Sequence, residues 1–187
     1  MNFSPARRRL AVALAASALH GCATMGPDGP GGAPALGGFD PVSFFGPQGP
    51  VAGDPGLRAT FEGRTYRFAS AANKAEFERN PVRYEPQYDG YCANDMVYAL
   101  KHPGDPRVYR VAEGRLFLFA DARARGWFEM DLARNIVLAD RYWQSEARGV
   151  PAPVQNLRRW VWQVPHHKTD AELAAEQARR RASPPGI

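Results

Sequence analysis

The chain has 187 residues, with 24 basic and 19 acidic side chains, a formal net charge of +5 and only two cysteines, Cys22 and Cys92. This length is enough for one domain with its own hydrophobic core. No basic stripe with interleaved aromatic residues runs through its central part, so charge and composition predict no nucleic-acid partner.

The first residues predict an export signal. Three arginines, 7 to 9, precede an apolar run from Leu10 to Leu19, about half the length of a membrane-spanning helix. The sequence Leu-His-Gly-Cys that ends at Cys22 resembles a bacterial lipobox, which implies a cleaved signal peptide of residues 1–21 and lipidation of Cys22. An ordinary cleaved signal is the alternative. Ala23 follows the cysteine, which in similar lipoproteins favours the outer membrane. We therefore expect a lipid anchor on the periplasmic face of a bacterial membrane.

Removal of this signal changes the net charge, and lipidation of Cys22 leaves a single free thiol. Without its three arginines the chain keeps 21 basic residues against 19 acidic ones. Once Cys22 is lipidated, Cys92 has no partner for an intramolecular disulfide. The arginine run leaves Sec and twin-arginine export both open. Residues 22–37 are mostly Gly, Pro and Ala and predict a tether between lipid and domain.

The next hundred residues mix strand and helix patterns. "FDPVSFF" at 39–45 predicts a short strand, and 57–70 and 107–120 predict two hairpins that turn at Glu-Gly pairs. Ser70 and Asp121 are placed to cap helices. Short helices are also predicted after Cys92 and through 135–143. No internal repeat is evident. The order predicts an α+β domain over residues 38–145.

The C-terminal extension, residues 146–187, has a different character. In "RRWVWQV" the side chains of Trp160 and Trp162 alternate with their neighbours, which favours an edge strand packed on the domain. Contact of these Trp and Arg side chains with a membrane surface is the alternative. Thr169 and Glu172 form a capping-box pattern that opens a charged helix to about Ala182.

The stretch "GFDPVSFF … GRTYRFASAANKAEFERNPVRYEPQYDGYCA" resembles the YHS domain, and the resemblance extends from Gly38 to Trp143. It implies a small YHS-like domain of the exported bacterial branch, and metal handling as the family's function. Metal-binding members carry cysteines where this chain has Ser43, Ala69 and Asn73. Because these residues cannot replace thiolates for a soft ion such as Cu or Zn, the usual ligand set is absent.

Cys92 is the main candidate for a site. It is either a thiolate ligand or redox thiol at a helix N-terminus, where the dipole lowers a thiol pKa, or a small buried apolar side chain. His102, ten residues on, is a candidate second metal ligand. The adjacent His166 and His167 are either a weak metal site or a solvated turn.

The tyrosines near Cys92 suggest a ligand pocket of Tyr88, Tyr91, Cys92 and Asp40, with core packing as the alternative. The chain has no nucleophile elbow and no glycine-rich phosphate loop, so we expect no enzyme. We expect a non-catalytic, lipid-anchored binding module for a metal or small ligand. The alternative is an interaction lipoprotein that docks a protein partner through its aromatic extension.

Overall fold

The computed structural model describes residues 33–182. The predicted signal peptide, the predicted lipidation site Cys22 and residues 22–32 of the predicted tether lie outside the described residues. Within them the fold is α+β, as predicted, with two antiparallel hairpins and several helices. The described part of the chain has no helix that is long and apolar enough to cross a membrane.

The described elements include four strands and seven α-helices, together with short 3-10 and π-helical turns. The strands are β1 Asp54–Phe61, β2 Arg64–Phe68, β3 Asp105–Ala112 and β4 Arg115–Phe119. The helices are α1 Ala71–Arg79, α2 Pro81–Tyr84, α3 Ala93–Met96, α4 Ala122–Glu129, α5 Leu132–Tyr142, α6 Ala152–Val161 and α7 Asp170–Ala182.

Each hairpin closes through a two-residue turn of Glu and Gly. All four turn residues have positive φ, between 46° and 76°, which is the backbone of the turn that matches strand twist. Glycine adopts this conformation freely, so the Glu-Gly pairs fix both turns where the sequence predicted them. With the turn fixed, successive side chains of each strand point to opposite faces of the hairpin, and this determines which residues pair.

The two hairpins are copies of one structural unit, which corrects the expectation of no internal repeat. "GDP" begins at Gly53 and again at Gly104, and "EGR" at Glu62 and again at Glu113, in both cases 51 positions later. In β1–β2, Asp54 pairs with Phe68, and Arg58 with Arg67 after a bulge. In β3–β4 the register and the bulge recur at the positions 51 further on.

The repeat also includes the segment before each hairpin. Each repeat begins with a 3-10 turn that contains left-handed residues, Ala35–Gly38 in one and Gln87–Gly90 in the other. The residue after each turn forms an isolated β-bridge with the chain just before the hairpin, Phe39 with Ala52 and Tyr91 with Pro103. Gly53 N donates to Gly38 O at 2.8 Å, and Gly104 N donates to Gly90 O at 3.0 Å. We call residues 35–84 the first repeat and residues 87–142 the second repeat.

A helix with the predicted cap follows each hairpin. Asn73 N donates to Ser70 Oγ at 3.1 Å at the start of α1, and Ala124 N donates to Asp121 Oδ1 at 2.8 Å at the start of α4. The capping box of α7 is also confirmed, since Thr169 N donates to the carboxylate of Glu172 at 2.8 Å and Glu172 N donates to Thr169 Oγ1 at 3.3 Å.

Two aromatic-rich cores stabilise the repeats. The core of the first repeat gathers around Phe77, and that of the second around Phe128, its counterpart 51 positions later. Ala35 and Leu36 are buried in the first core, so the folded chain begins before Gly38, inside the predicted tether. Val164 of the extension is buried in the second core. The extension therefore packs on the domain.

Two predicted strands are wrong. "FDPVSFF" forms a 3-10 turn at Ser43–Phe45, because Asp40 accepts the backbone N–H of Val42 and turns the chain. The segment predicted as an edge strand around Trp160 belongs to α6. Side-chain hydrogen bonds from this helix to the second repeat hold it in place.

Candidate functional site

Cys92 lies at the start of α3, inside the core of the second repeat, and is fully buried. Its backbone N–H donates to His102 O at 2.8 Å, which joins the two ends of the segment that carries α3. The helix has only four residues. Its dipole is too small to produce the activated thiol that the sequence allowed.

The chemistry of the Cys92 thiol follows from this position. Burial raises its pKa to about 12, and the negative charge of Asp95 acts in the same direction. Backbone hydrogen bonds from Ala120, Asp95 and Asn94 lower the pKa, but their effect is smaller than that of removing the thiolate from water. The thiol is therefore protonated at neutral pH. A protonated thiol is neither a nucleophile nor a metal ligand.

His102 points away from the core. Its Nδ1 lies 2.7 Å from Asp95 Oδ2, and this hydrogen bond raises the pKa of the imidazole. The structure thus brings Cys92 and His102 together through their backbones and gives their side chains different surroundings. Among residues 33–182, no group of three or more His, Cys, Asp or Glu side chains is placed to hold a metal ion. Metal binding at Cys92 and His102 stays a prediction without geometric support.

Asp40 occupies in the first repeat the position that Cys92 occupies in the second. Its backbone N–H donates to Val51 O at 2.8 Å, the same bond that Cys92 makes to His102. Its buried carboxylate accepts N–H groups from Val42 at 2.9 Å, Ala69 at 2.8 Å and the Asn73 side chain at 2.7 Å. Three protein donors satisfy this carboxylate. It holds the 3-10 turn, the end of β2 and α1 together.

Tyr88 and Tyr91 are also part of the core. Tyr88 Oη donates to Asp140 Oδ1 at 2.8 Å, and burial raises the pKa of this phenol. Arg115 donates to both oxygens of Asp140, at 2.9 and 2.6 Å. The Tyr91 ring lies under the Lys101 ammonium, with 4.6 Å between Nζ and the ring centroid. Each residue of the predicted pocket thus has a structural partner, and a pocket that joins them to Asp40 stays a prediction without geometric support.

The histidine pair near the C-terminus packs against tyrosines. His166 stacks on Tyr142, with ring centroids 5.7 Å apart, and its Nε2 lies 2.9 Å from Val97 O. His167 packs edge-on against Tyr98. The pair lies at a turn, as one alternative predicted, with both side chains partly buried, and within the described residues it is not part of a metal cluster.

The helix α6 presents apolar side chains to solvent. Trp160 is 80% exposed, Trp162 just beyond the helix 68%, and Leu157 62%. Val154 and Val161 continue the same surface with about half of their area exposed. We call these five residues the α6 apolar face. An open cavity of about 480 Å³ lies beside it, against Leu100 and His102.

The inner side of α6 is polar. Gln155 is fully buried and its Nε2 donates to Ala99 O at 3.0 Å. Asn156 accepts the backbone N–H of Lys101 at 2.8 Å and donates to its carbonyl at 3.2 Å. Arg159 forms an ion pair with Glu146. A surface helix normally buries its apolar side and exposes its polar side, so α6 is reversed.

Lys101 anchors the start of the extension. Its ammonium donates to Val150 O at 2.8 Å and to Ala147 O at 3.2 Å, and it also faces the Trp143 ring. Burial lowers the pKa of this lysine. These bonds fix the chain that enters α6. The apolar face is therefore held outward by the fold.

Comparison of the chain with known protein families, with curated proteins and with solved structures finds no match. The resemblance to YHS domains thus stays a prediction. The internal repeat and the orientation of α6 were not predicted from the sequence. The repeat had a signal, the recurrence of "GDP", "EGR" and "FA" at a spacing of 51. The exposure of Trp160 and Trp162 was expected only in the alternative of surface contact, and the orientation of α6 depends on partners of Gln155 and Asn156 that lie more than fifty positions away.

Proposed function

We propose that this protein is a non-catalytic docking lipoprotein on the periplasmic face of a bacterial membrane, and that the α6 apolar face is its binding surface. The reversed orientation of α6 carries the proposal. Exposing two tryptophans and a leucine to water is unfavourable by roughly 1.5–3 kcal/mol per side chain relative to burial. A surface of this kind, held outward by buried polar contacts, is typical of a binding site.

The surroundings of Cys92 support a role without covalent chemistry. A buried thiol with a pKa of about 12 is a poor nucleophile and a poor ligand. The His102–Asp95 pair is exposed, but Cys92, the one thiol in the described residues, is buried away from it. Metal or small-ligand handling, which the YHS resemblance implies, therefore ranks second.

Site-specific photocrosslinking tests this proposal. A photoreactive residue replaces Trp160 in the full chain, expressed in a bacterial host so that it is exported and processed. The control replaces Val82 on α2, which is 62% exposed and outside the α6 apolar face. We expect irradiation to give adducts at position 160 and few at position 82. Equal or absent adducts at both positions would contradict a dedicated binding surface.

A further inference from the structure

The charge around the α6 apolar face identifies the kind of partner that it fits. Residues 148–168 contain no acidic residue, and of their four basic side chains Arg159 and Lys168 are ion-paired with Glu146 and Glu176. Arg158 is exposed next to Leu157 on the helix. The acid beside the adjoining cavity, Asp95, is hydrogen-bonded to His102. The face is thus apolar and aromatic with an exposed arginine at its border and its neighbouring acids paired, which suits an anionic surface.

The predicted anchor places this face near a bilayer. If Cys22 carries the lipid, only ten residues separate it from residue 33. Ten residues span at most about 35 Å when fully extended, roughly the diameter of a domain of this size. With this anchor the domain stays within this distance of the membrane surface. The anchor would therefore keep α6 close to a lipid surface.

We propose that the α6 apolar face binds the surface of a phospholipid bilayer with anionic headgroups, an inference that rests on the proposed docking function. The indole rings of Trp160 and Trp162 lie at the headgroup level, where tryptophan is enriched in membrane proteins. Leu157 enters the acyl boundary, and Arg158 contacts lipid phosphate. A lipid anchor and a second, weaker contact together hold the domain in one orientation.

A second copy of the chain fits this face less well. A symmetric dimer through α6 would bring Arg158 close to its own counterpart, and like charges would oppose the association. A protein partner would need an apolar groove with an acidic border. The vesicle experiment below distinguishes a protein partner from lipid.

Vesicle flotation tests the proposal with residues 23–187 expressed without lipid. This chain keeps every residue of the two described cores, and circular dichroism verifies its fold. The probes are vesicles of phosphatidylethanolamine with phosphatidylglycerol, and vesicles of phosphatidylcholine alone. The test variant is Leu157→Ser/Trp160→Ser. The matched control is Val82→Ser/Val137→Ser, which removes two apolar side chains that are 62% and 66% exposed elsewhere.

We expect the wild-type chain to float with the anionic vesicles and to bind them less well at high salt. The test variant is expected to bind at least about tenfold more weakly, whereas the control variant binds like wild type. Flotation lost equally in both variants would overturn the assignment to α6. Failure of the wild type to float would overturn the lipid proposal. In that case, protein adducts from position 160 would leave the docking function standing, and their absence would overturn it too.

Discussion

Asp40 and Cys92 occupy equivalent positions in the two repeats. Each donates its backbone N–H to the chain just before a hairpin at 2.8 Å, and each side chain is fully buried beside the backbone that follows the second strand, at Ala69 and at Ala120. One position holds a carboxylate with three N–H donors and the other holds a thiol. Cys92, the main candidate for chemistry in the sequence, therefore has a structural role in the core.

The raised pKa of Cys92 predicts a loss of stability at alkaline pH. In the unfolded chain the thiol titrates near its ordinary value of 9.0, whereas in the fold its pKa is about 12. Because the unfolded state loses its proton first, the contribution of the thiol is complete below pH 9 and is lost between pH 9 and 12. This loss amounts to about 3–4 kcal/mol. Urea unfolding across this range measures it.

The matched control for this pH dependence is Cys92→Ser, which keeps the size of the side chain and does not titrate. Tyr88 and Tyr98 also have raised pKa values, so some alkaline destabilisation remains in the variant. We expect the slope of the unfolding free energy against pH to be clearly smaller in Cys92→Ser. Identical slopes in the two proteins would show that the thiol is not buried.

Asp40→Ala should destabilise the first repeat strongly. The substitution removes a buried carboxylate and leaves three N–H groups, from Val42, Ala69 and Asn73, without their acceptor. Because the carboxylate is buried but its donors are partly accessible to water, we expect a loss of roughly 1–3 kcal/mol in the free energy of unfolding. Asp54→Ala is the control, because Asp54 is exposed and accepts one N–H, from Gly56. A loss no larger than that of the control would refute a structural role for Asp40.

The equivalence of the repeats predicts a coupled pair of substitutions. Cys92→Asp places a carboxylate in the second repeat, but Ala124 stands where the first repeat has the donor Asn73. We expect the loss in unfolding free energy of the double variant Cys92→Asp/Ala124→Asn to be smaller than the sum of the losses of the two single variants, by about 1–2 kcal/mol. A double-mutant cycle of unfolding free energies measures the coupling. Simple additivity would mean that the two positions are not equivalent.

Local sequence patterns predicted much of this fold. The Glu-Gly turns have one favourable backbone, and Ser70, Asp121 and Thr169 each cap the helix that follows them. The repeat was harder to recognise, because the spacing changes from 52 positions at Asp40 and Cys92 to 51 at the hairpins. Its two equivalent buried side chains also differ in chemistry.

The error at α6 has a different cause. Alternation of Trp160 and Trp162 with smaller residues is typical of a strand, but Val154, Leu157 and Val161 recur at helical spacing, and the segment is a helix. Contacts of Gln155 and Asn156 with Ala99 and Lys101 then hold the polar side of this helix inward. They also determine which side faces water, so the candidate binding surface was not predictable from periodicity. The burial of Cys92 was one of two alternatives that the sequence left open.

The N-terminal prediction is tested by fractionation. Cys22→Ser removes the thiol that is predicted to carry the lipid, and we expect the full chain to move from the membrane fraction to the soluble periplasmic fraction or to remain unprocessed. Incorporation of labelled fatty acid into wild type and its absence from Cys22→Ser complete the measurement. Equal membrane retention and labelling in both chains would exclude Cys22 as the anchor.

The central claim is that α6 carries the binding surface, and a crosslinking scan over exposed apolar positions tests it most directly. In the full exported chain, photoreactive residues are placed one at a time at positions 154, 157 and 160 on the face and at 82 and 137 outside it. We predict adducts, to lipid or to protein, at the three positions on α6 and background at the other two. Background at all α6 positions, or adducts spread evenly over all five, would contradict the docking function.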